Sequence, residues 1–400
     1  MKKALKILHT SDWHIGKMLH KIDLSEDMNL FFDWLVNEIK QQEVDVLLMS
    51  GDLFDQANPS QLAMQQYYAF LKRLLPLQCK VILTGGNHDS PYVLNAPREL
   101  LQVLDVHVMG GAPENVADLF VSYEKNGEKV VFAAVPYLRE KDIRKAAPGE
   151  SYADKIELMR AGMAHYFESV NAYYKANFEG TPFILMGHLF AQGVEVSESE
   201  REIQIGNQAS VDASIFGNEA NYVALGHIHK PQSVGNAMIR YSGSPIALSF
   251  SEKKDEKQCI ILQIEDGKLT FEKRIIPVFR RLVQFSGTLQ EVQTALENYT
   301  TSTPLMDLAE VQITEEQEQT GIFSQIEELQ TPNRFPTIEL VKVRVSFLNK
   351  LKGTSTLLDQ TARITDFTPK EMFLKRVESD TSLLEIKDDL VLAFSELIEQ

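Results

Sequence analysis

Along the first 280 residues, short apolar runs alternate with stretches whose apolar positions fall at helical spacing. Residues 5–10 and 80–84 are short apolar runs, and residues 44–50 are nearly continuous apolar up to Gly51, as in strands buried on both faces. Between them, Leu30, Phe31, Trp34, Leu35 and Ile39 predict a helix over 27–42, and Pro59 precedes a second one predicted at 60–75. Residues 130–135, 183–186 and 222–225 repeat the strand signature, and 153–178 reads as one long helix. Segments 257–264 and 268–276 flank Asp266-Gly267, a hairpin turn whose residues tolerate positive φ. Parallel-type strands joined by helices, then a late hairpin, predict an α/β domain with mixed sheets.

The pattern changes after Pro277. Residues 282–333 contain no Lys or Arg but nine acidic residues, and read as strand (282–285), helix (289–299), strand (308–314), helix (321–329) and strand (338–347). That is a small α+β module. Two helices are predicted beyond it, at 369–378 and from about 382 to 398. The expected organisation is therefore three parts, at 1–278, 279–348 and 349–400.

Composition adds a constraint and then relaxes it. The 400 residues carry 40 Lys+Arg against 56 Asp+Glu, a net charge of −16. Such a chain repels phosphate backbones at long range, which argues against a nucleic-acid coat or a membrane-surface protein. More than half of the excess, −9, falls in residues 281–400, so a local site in the first 280 stays open. Cys79 and Cys259 sit in separate apolar runs and read as buried thiols in a reducing compartment. No signal-peptide core follows Met1-Lys2-Lys3 and no apolar run is long enough to span a bilayer, so a cytoplasmic protein is expected.

Five polar clusters stand where the apolar runs stop: Asp12-Trp13-His14, Gly51-Asp52-Leu53-Phe54-Asp55, Gly86-Asn87-His88-Asp89, Gly187-His188 and Gly226-His227-Ile228-His229. A single Gly-Asp or Gly-His pair at a strand end is ordinarily a turn; five such clusters in this order are not. In extended chain, residues two apart share a face, so Asp12 with His14, and His227 with His229, are each expected to aim at one point. Imidazole and oxygen donors without thiolate suit Mn, Fe, Zn or Mg. Seven candidate ligands exceed one tetrahedral zinc and suit two ions sharing a bridging carboxylate, as in phosphatases and nucleases.

This ordered set resembles the calcineurin-like metallophosphoesterase superfamily, whose pattern is D-x-H, G-D-x-x-D, G-N-H-D/E, a lone H, then G-H-x-H. The stretches His9-Thr10-Ser11-Asp12-Trp13-His14-Ile15-Gly16, Gly86-Asn87-His88-Asp89-Ser90 and Tyr241-Ser242-Gly243-Ser244-Pro245 resemble its SbcD branch of double-strand-break repair nucleases. The resemblance implies a four-layer αββα sandwich with mixed sheets, then a small α+β capping domain and C-terminal helices. It implies that Asp12, His14, Asp52 and His229 hold one divalent ion and Asp52, Asn87, His188 and His227 a second, Asp52 bridging. Manganese is expected, with magnesium or another divalent ion as alternatives. His88 is then the group that contacts the substrate phosphate and assists the leaving oxygen. Asp55 is placed, as in the phosphatases, to orient His88 and favour its protonated form. The archaeal and eukaryotic repair nucleases carry histidine where this chain has Asp55, so their second-histidine role does not transfer.

The implied activity is phosphodiester hydrolysis of DNA in repair, recombination and replication. It combines 3′ to 5′ exonuclease action on duplex ends with single-strand endonuclease action, hairpins included. The implied partners are DNA and an SbcC-type coiled-coil ATPase gripped by 369–400, in a heterotetramer containing a homodimer of this chain, for which helix 60–75 is a candidate surface. No Walker loop is present, so no ATP site is expected in this chain. A phosphomonoesterase or small-molecule phosphodiesterase on the same site is the competing enzyme, and a scaffold that keeps the fold is a third reading. His9, His20, His107 and His165 are expected to be structural, and Arg139, Lys141, Arg144 and Lys145 to form a mixed-charge loop before a DNA contact.

Overall fold

The computed structural model describes residues 4–144, 150–197, 200, 210–317, 321–332 and 334–348, and the isolated positions 373, 374, 377, 387, 390, 391 and 394. By its internal contacts the chain separates into two compact units. One comprises Met1–Val283, Thr300–Ala309 and Thr337–Val341; the other comprises Gln284–Tyr299, Glu310–Pro336 and Lys342–Gln400.

Two six-stranded mixed sheets build the first unit. One runs in the order Lys268–Ile275, Gln258–Glu265, Leu5–Thr10, Val46–Ser50, Lys80–Thr84, Val106–Met109, the last four strands parallel. Its other edge is the expected hairpin, antiparallel through Asp266 and Gly267, both at positive φ. The second sheet runs Gln232–Val234, Asn236–Tyr241, Tyr222–Gly226, Phe183–His188, Glu128–Ala134, Phe120–Lys125, its four central strands parallel.

Strand alternation decides what each face meets. Ile7, Val46, Leu48 and Ile82 belong to the cluster that holds Phe132, Ile184 and Val223 of the second sheet and Met159, Met163, Phe167 and Val170 of helix Tyr152–Phe178. Their neighbours Leu8, Leu47, Met49, Val81 and Leu83 belong to a second cluster with Phe31, Phe32 and Leu35 of helix Ser25–Gln42 and with Tyr67, Phe70 and Leu71 of helix Gln61–Leu74. Helices, sheet, sheet, helix is the four-layer αββα sandwich. Continuous apolar strands such as 46–50 arise because both faces are covered.

Helix ends follow local chemistry. Ser60 caps Gln61–Leu74 by accepting from the Ala63 amide at 3.1 Å, and Ser151 with Asp154 forms a capping box that starts Tyr152–Phe178. Edge strands 120–125 and 232–234, and their neighbour 236–241 beside the latter, have no clear apolar signature because they carry exposed polar residues. Cys79 and Cys259 are both buried and unpaired. No described helix is long and apolar enough to cross a membrane.

Further along, a three-stranded sheet of Leu282–Gly287, Asp307–Glu315 and Ile338–Phe347 accompanies helices Leu289–Glu297 and Ile322–Leu329, matching the expected α+β pattern. Of the helices predicted over 369–398, positions 373, 374, 377, 387, 390, 391 and 394 are helical, with the Phe373 and Phe394 rings stacked at 3.9 Å; the rest lies outside the described residues.

Candidate metal centre

All five clusters lie at one rim. Asp12 and His14, Asp52, and Asn87 and His88 follow three adjacent parallel strands of the first sheet. His188 ends one strand of the second sheet, and His227 follows its parallel neighbour. Parallel strands put all their C-terminal ends on the same side, where open α/β sheets bind ligands.

The local backbone is sharply turned. Asp12, His14, Asp52 and His227 all have positive φ, at 53°, 47°, 54° and 100°. Such conformations cost about 1–3 kcal/mol each and need compensation. It comes from hydrogen bonds: the Asp12 amide donates to the Gly51 carbonyl and the His14 amide to the Asp52 carbonyl, both at 3.0 Å. Charge-assisted bonds add to these, from the His227 amide to Asp12 Oδ1 at 2.8 Å and from the His88 amide to Asp52 Oδ1 at 2.9 Å. Each is worth roughly 1.5–3 kcal/mol, enough to hold the turns. Trp13, between the first two candidate ligands, is buried against Phe31, Phe32 and Phe70 at ring distances of 5.8, 5.2 and 5.2 Å. The loop is thereby pinned to both helices of the first layer.

Side chains converge in three groups, one of which, His14 with Asp55 and His88, overlaps the first of the other two at His14. Asp12, His14 and His229 offer ligand atoms within 4.8 Å of one another, and so do Asp52, His188 and His227. Asp52 Oδ2 stands 3.5 Å from His14 Nε2 and 3.3 Å from His188 Nε2, so its carboxylate faces both groups. Asn87 Oδ1 lies 3.0 Å from His188 Nε2 and 3.0 Å from His227 Nδ1, joining the second group. The expectation that His227 and His229 share one point fails: they fall in different groups, because the positive φ of His227 breaks the extended geometry on which that expectation rested. Asp12 and His14 do share a point, through left-handed turns and not through strand alternation.

Burial opposes charge at Asp52, yet the His188, His14 and His88 imidazoles hold its carboxyl well below the usual range. Burial likewise opposes charge at His188, but Asp52 pushes it up to about 9. Burial and the neighbouring His188 push His227 down to about 3. The donor set fits divalent ions: His14 Nε2 and His227 Nε2 are buried without a hydrogen-bond partner, which is costly unless something binds them. Space is reserved as well. A Cβ on Gly86 would collide with Asp52, one on Gly51 with His188, and one on Gly226 with the Ser50 carbonyl and His188.

Asp55 departs from its expected role. Its backbone carbonyl, not its carboxylate, meets His88 Nδ1, at 2.8 Å. The carboxylate turns to His14 Nδ1 at 3.3 Å and Lys17 Nζ at 3.0 Å, because the Asp55 amide is tied to the Ile15 carbonyl at 3.2 Å. Burial opposes charge there, but His14 and Lys17 pull its carboxyl down to about 2. Asp55 is thus placed to orient His14.

Several residues outside the expected ligand set support it, of which Glu252 and Lys257 carry no sequence signal of their own. Glu252 Oε1 lies 3.1 Å from His229 Nδ1, and its other oxygen accepts from Lys257 Nζ at 2.7 Å and Ser244 Oγ at 3.2 Å. Buried Asp89 accepts from the Leu53 and Phe54 amides at 3.0 Å and from Gly86 at 2.9 Å, tying two ligand loops together; burial and the nearby Asp52 push it up to about 6. Ser242 meets Ser11 at 2.8 Å, and Ser11 donates to Asp12 at 2.6 Å.

The other expectations sort plainly. His9 is buried against the Tyr222 hydroxyl at 3.0 Å, His20 lies beside Phe250, His165 is exposed near Glu168, and neither these nor His107 enters a ligand group among the described residues. Arg144 is neutralised by Glu140 at 2.5 Å and Glu150 at 2.6 Å, as a mixed-charge loop requires. Arg139 instead donates to the Asp89 carbonyl at 2.8 Å, and Lys145 lies outside the described residues.

Two layered sheets with a rim of clustered histidines and carboxylates define a metallophosphoesterase class. The sequence profile of the calcineurin-like phosphoesterases matches residues 5–231. Three curated relatives each carry the name of the D component of the nuclease SbcCD. That of Escherichia coli K12 is 31% identical over 299 residues, covering 74% of each chain. That of Rhodobacter capsulatus is 33% identical, covering 73% of this chain and 75% of its own, and that of Bacillus subtilis 30%, with the same coverage. The chain belongs to the calcineurin-like phosphoesterases and, within them, to the SbcD nuclease family that these relatives represent.

Proposed function

We propose that this chain is the nuclease component of an SbcCD-type complex and hydrolyses DNA phosphodiesters with two divalent ions, manganese first among them. The observation that carries this reading is the meeting of Asp12, His14, Asp52, Asn87, His188, His227 and His229 at one rim, in a chain 30–33% identical to named SbcD nucleases. Asp12, His14, Asp52 and His229 would hold one ion, and Asp52, Asn87, His188 and His227 the other. Bound there, the ions polarise the phosphate, lower the pKa of a water and stabilise the reacting oxygens. Two carboxylates against two divalent ions leave the centre at about +2, which attracts a phosphodiester even on an acidic chain.

The protein's own groups do the rest. Asp52 sets the position of both ligand groups at once. Glu252 holds His229 by its Nδ1, and the Asp55 carboxylate stands 3.3 Å from His14 Nδ1. His88, pinned by the Asp55 carbonyl at Nδ1, keeps Nε2 available to pass a proton to the leaving oxygen. The expected action is 3′ to 5′ trimming of duplex ends and single-strand cleavage, hairpins included, in the cytoplasm.

The test incubates the purified protein, with Mn2+ and with SbcC and ATP supplied, on linear duplex and on a small aryl phosphate or phosphodiester. DNA cleavage is expected; turnover of the small substrate with no DNA cleavage would establish the competing phosphatase or phosphodiesterase instead. For the partner, residues 369–400 are the proposed SbcC-binding helices, within a heterotetramer containing two copies of this chain. Exposed Leu62 and Tyr68 mark helix Gln61–Leu74 as the candidate contact between the copies. Deleting from Thr368 onward is expected to abolish co-purification with SbcC, and undiminished co-purification would refute that assignment.

A further inference from the structure

The two ligand groups are backed by different chemistry. In the first, Asp12 is itself a carboxylate, His14 Nδ1 faces Asp55 Oδ1 at 3.3 Å, and His229 Nδ1 faces Glu252 Oε1 at 3.1 Å and Glu200 Oε1 at 3.8 Å. In the second, the neutral amide of Asn87 stands where the first has Asp12. His188 Nδ1 rests on the Ser50 carbonyl at 2.9 Å, and His227 Nδ1 on Asn87 Oδ1 at 3.0 Å. Apart from shared Asp52, and from Asp12, whose Oδ1 also stands 4.0 Å from His188 Nδ1, the anionic groups named here lie on the first side only. Lys17 and Lys257 offset part of that charge, but Lys257 does so on the Glu252 oxygen turned away from His229.

Glu252 is unusually well fixed for a side chain that touches no substrate. It is 1% exposed; Oε2 takes Lys257 at 2.7 Å, Ser244 Oγ at 3.2 Å and the Leu248 amide at 3.2 Å, and Oε1 also accepts from Ser249 Oγ at 3.2 Å. A fixed carboxylate behind an imidazole sets its tautomer, aims Nε2 forward and raises its basicity; losing one costs about 10- to 100-fold in metal affinity. A backbone carbonyl sets the tautomer with less charge.

We propose that the two subsites are unequal: the Asp12/His14/His229 subsite binds its ion more tightly and fills first. Glu252 and Asp55 are the positioning residues that set this order. This rests on the dinuclear reading above. It makes occupancy of the Asn87/His188/His227 subsite the step that limits activity at low metal concentration.

The test titrates Mn2+ alone into the metal-stripped full chain, with calorimetry to resolve affinities and electron paramagnetic resonance to separate isolated from spin-coupled ions. Two classes of site are expected, the first equivalent giving an isolated-ion signal and the second a coupled one. Glu252→Gln and Asp55→Asn are each expected to weaken the tight class by about 10- to 100-fold and leave the weak class unchanged. They lie on separate loops, so if one variant misfolds by circular dichroism the other still decides. Two ions bound with equal affinity, or variants that weaken only the second class, overturn the proposed order alone. Failure of the wild-type chain to take up any Mn2+ overturns the dinuclear reading beneath it.

Discussion

Replacing Asp52 with alanine is expected to lower metal-dependent DNA cleavage by at least about 10³-fold. Its carboxylate is the group that faces both ligand clusters, 3.5 Å from His14 and 3.3 Å from His188, at 1% exposure. Each ion of a dinuclear centre supplies several kcal/mol of transition-state stabilisation, and about 1.4 kcal/mol is tenfold in rate, so disturbing both readily reaches three decades. The other carboxylate oxygen accepts from the His88 amide at 2.9 Å, so the substitution also loosens the proton donor. Alanine at φ 54° adds a cost of about 1–2 kcal/mol that aspartate or asparagine pays less of. Asp52→Asn is therefore the companion variant: it keeps the turn and removes only the charge. Bound Mn2+ per chain and cleavage of a linear duplex are the measurements, and cleavage at the wild-type rate by either variant would refute the bridging role.

Alanine at His88 should separate chemistry from metal binding. The neighbouring carbonyl of Asp55 accepts from Nδ1 at 2.8 Å, so Nε2 is the atom free to serve the leaving oxygen. Its ring stands edge-on to His14 at 4.7 Å, close enough to reach a phosphate bound at the rim. A positioned proton donor contributes about 10²- to 10⁴-fold, and that is the expected fall in kcat for His88→Ala. The number of Mn2+ ions bound should stay at the wild-type value. A variant that loses an ion while losing activity would make His88 a ligand and not an acid.

Much of this centre is legible in the chain because metal ligation leaves local marks. Glycine precedes four of the five clusters, and at Gly51, Gly86 and Gly226 the reason is physical, since any Cβ would strike a neighbouring ligand or its backbone. Apolar runs ending in those clusters likewise reveal the parallel strands. What stays hidden is whatever depends on pairing between distant segments. Glu252 lies 23 residues from the histidine it holds, and nothing in its spacing ties it to His229. The direction of the Asp55 carboxylate depends on a backbone bond to Ile15 that no local pattern encodes. Strand 236–241 is half exposed and so lacks the continuous apolar run that marks 46–50.

The long spans closed by this rim bear on how the chain folds. The bond from the His227 amide to Asp12 bridges 215 residues, and that from His188 to Ser50 bridges 138. Contacts so distant in sequence form only after both sheets have docked, because the entropy of closing such loops must be met before the contacts return anything. The metal pocket is consequently a late product of folding and absent from the unfolded chain. An ion at 100 times its dissociation constant then favours the native state by about 2.7 kcal/mol, so the same cations that serve catalysis also rivet one sheet to the other.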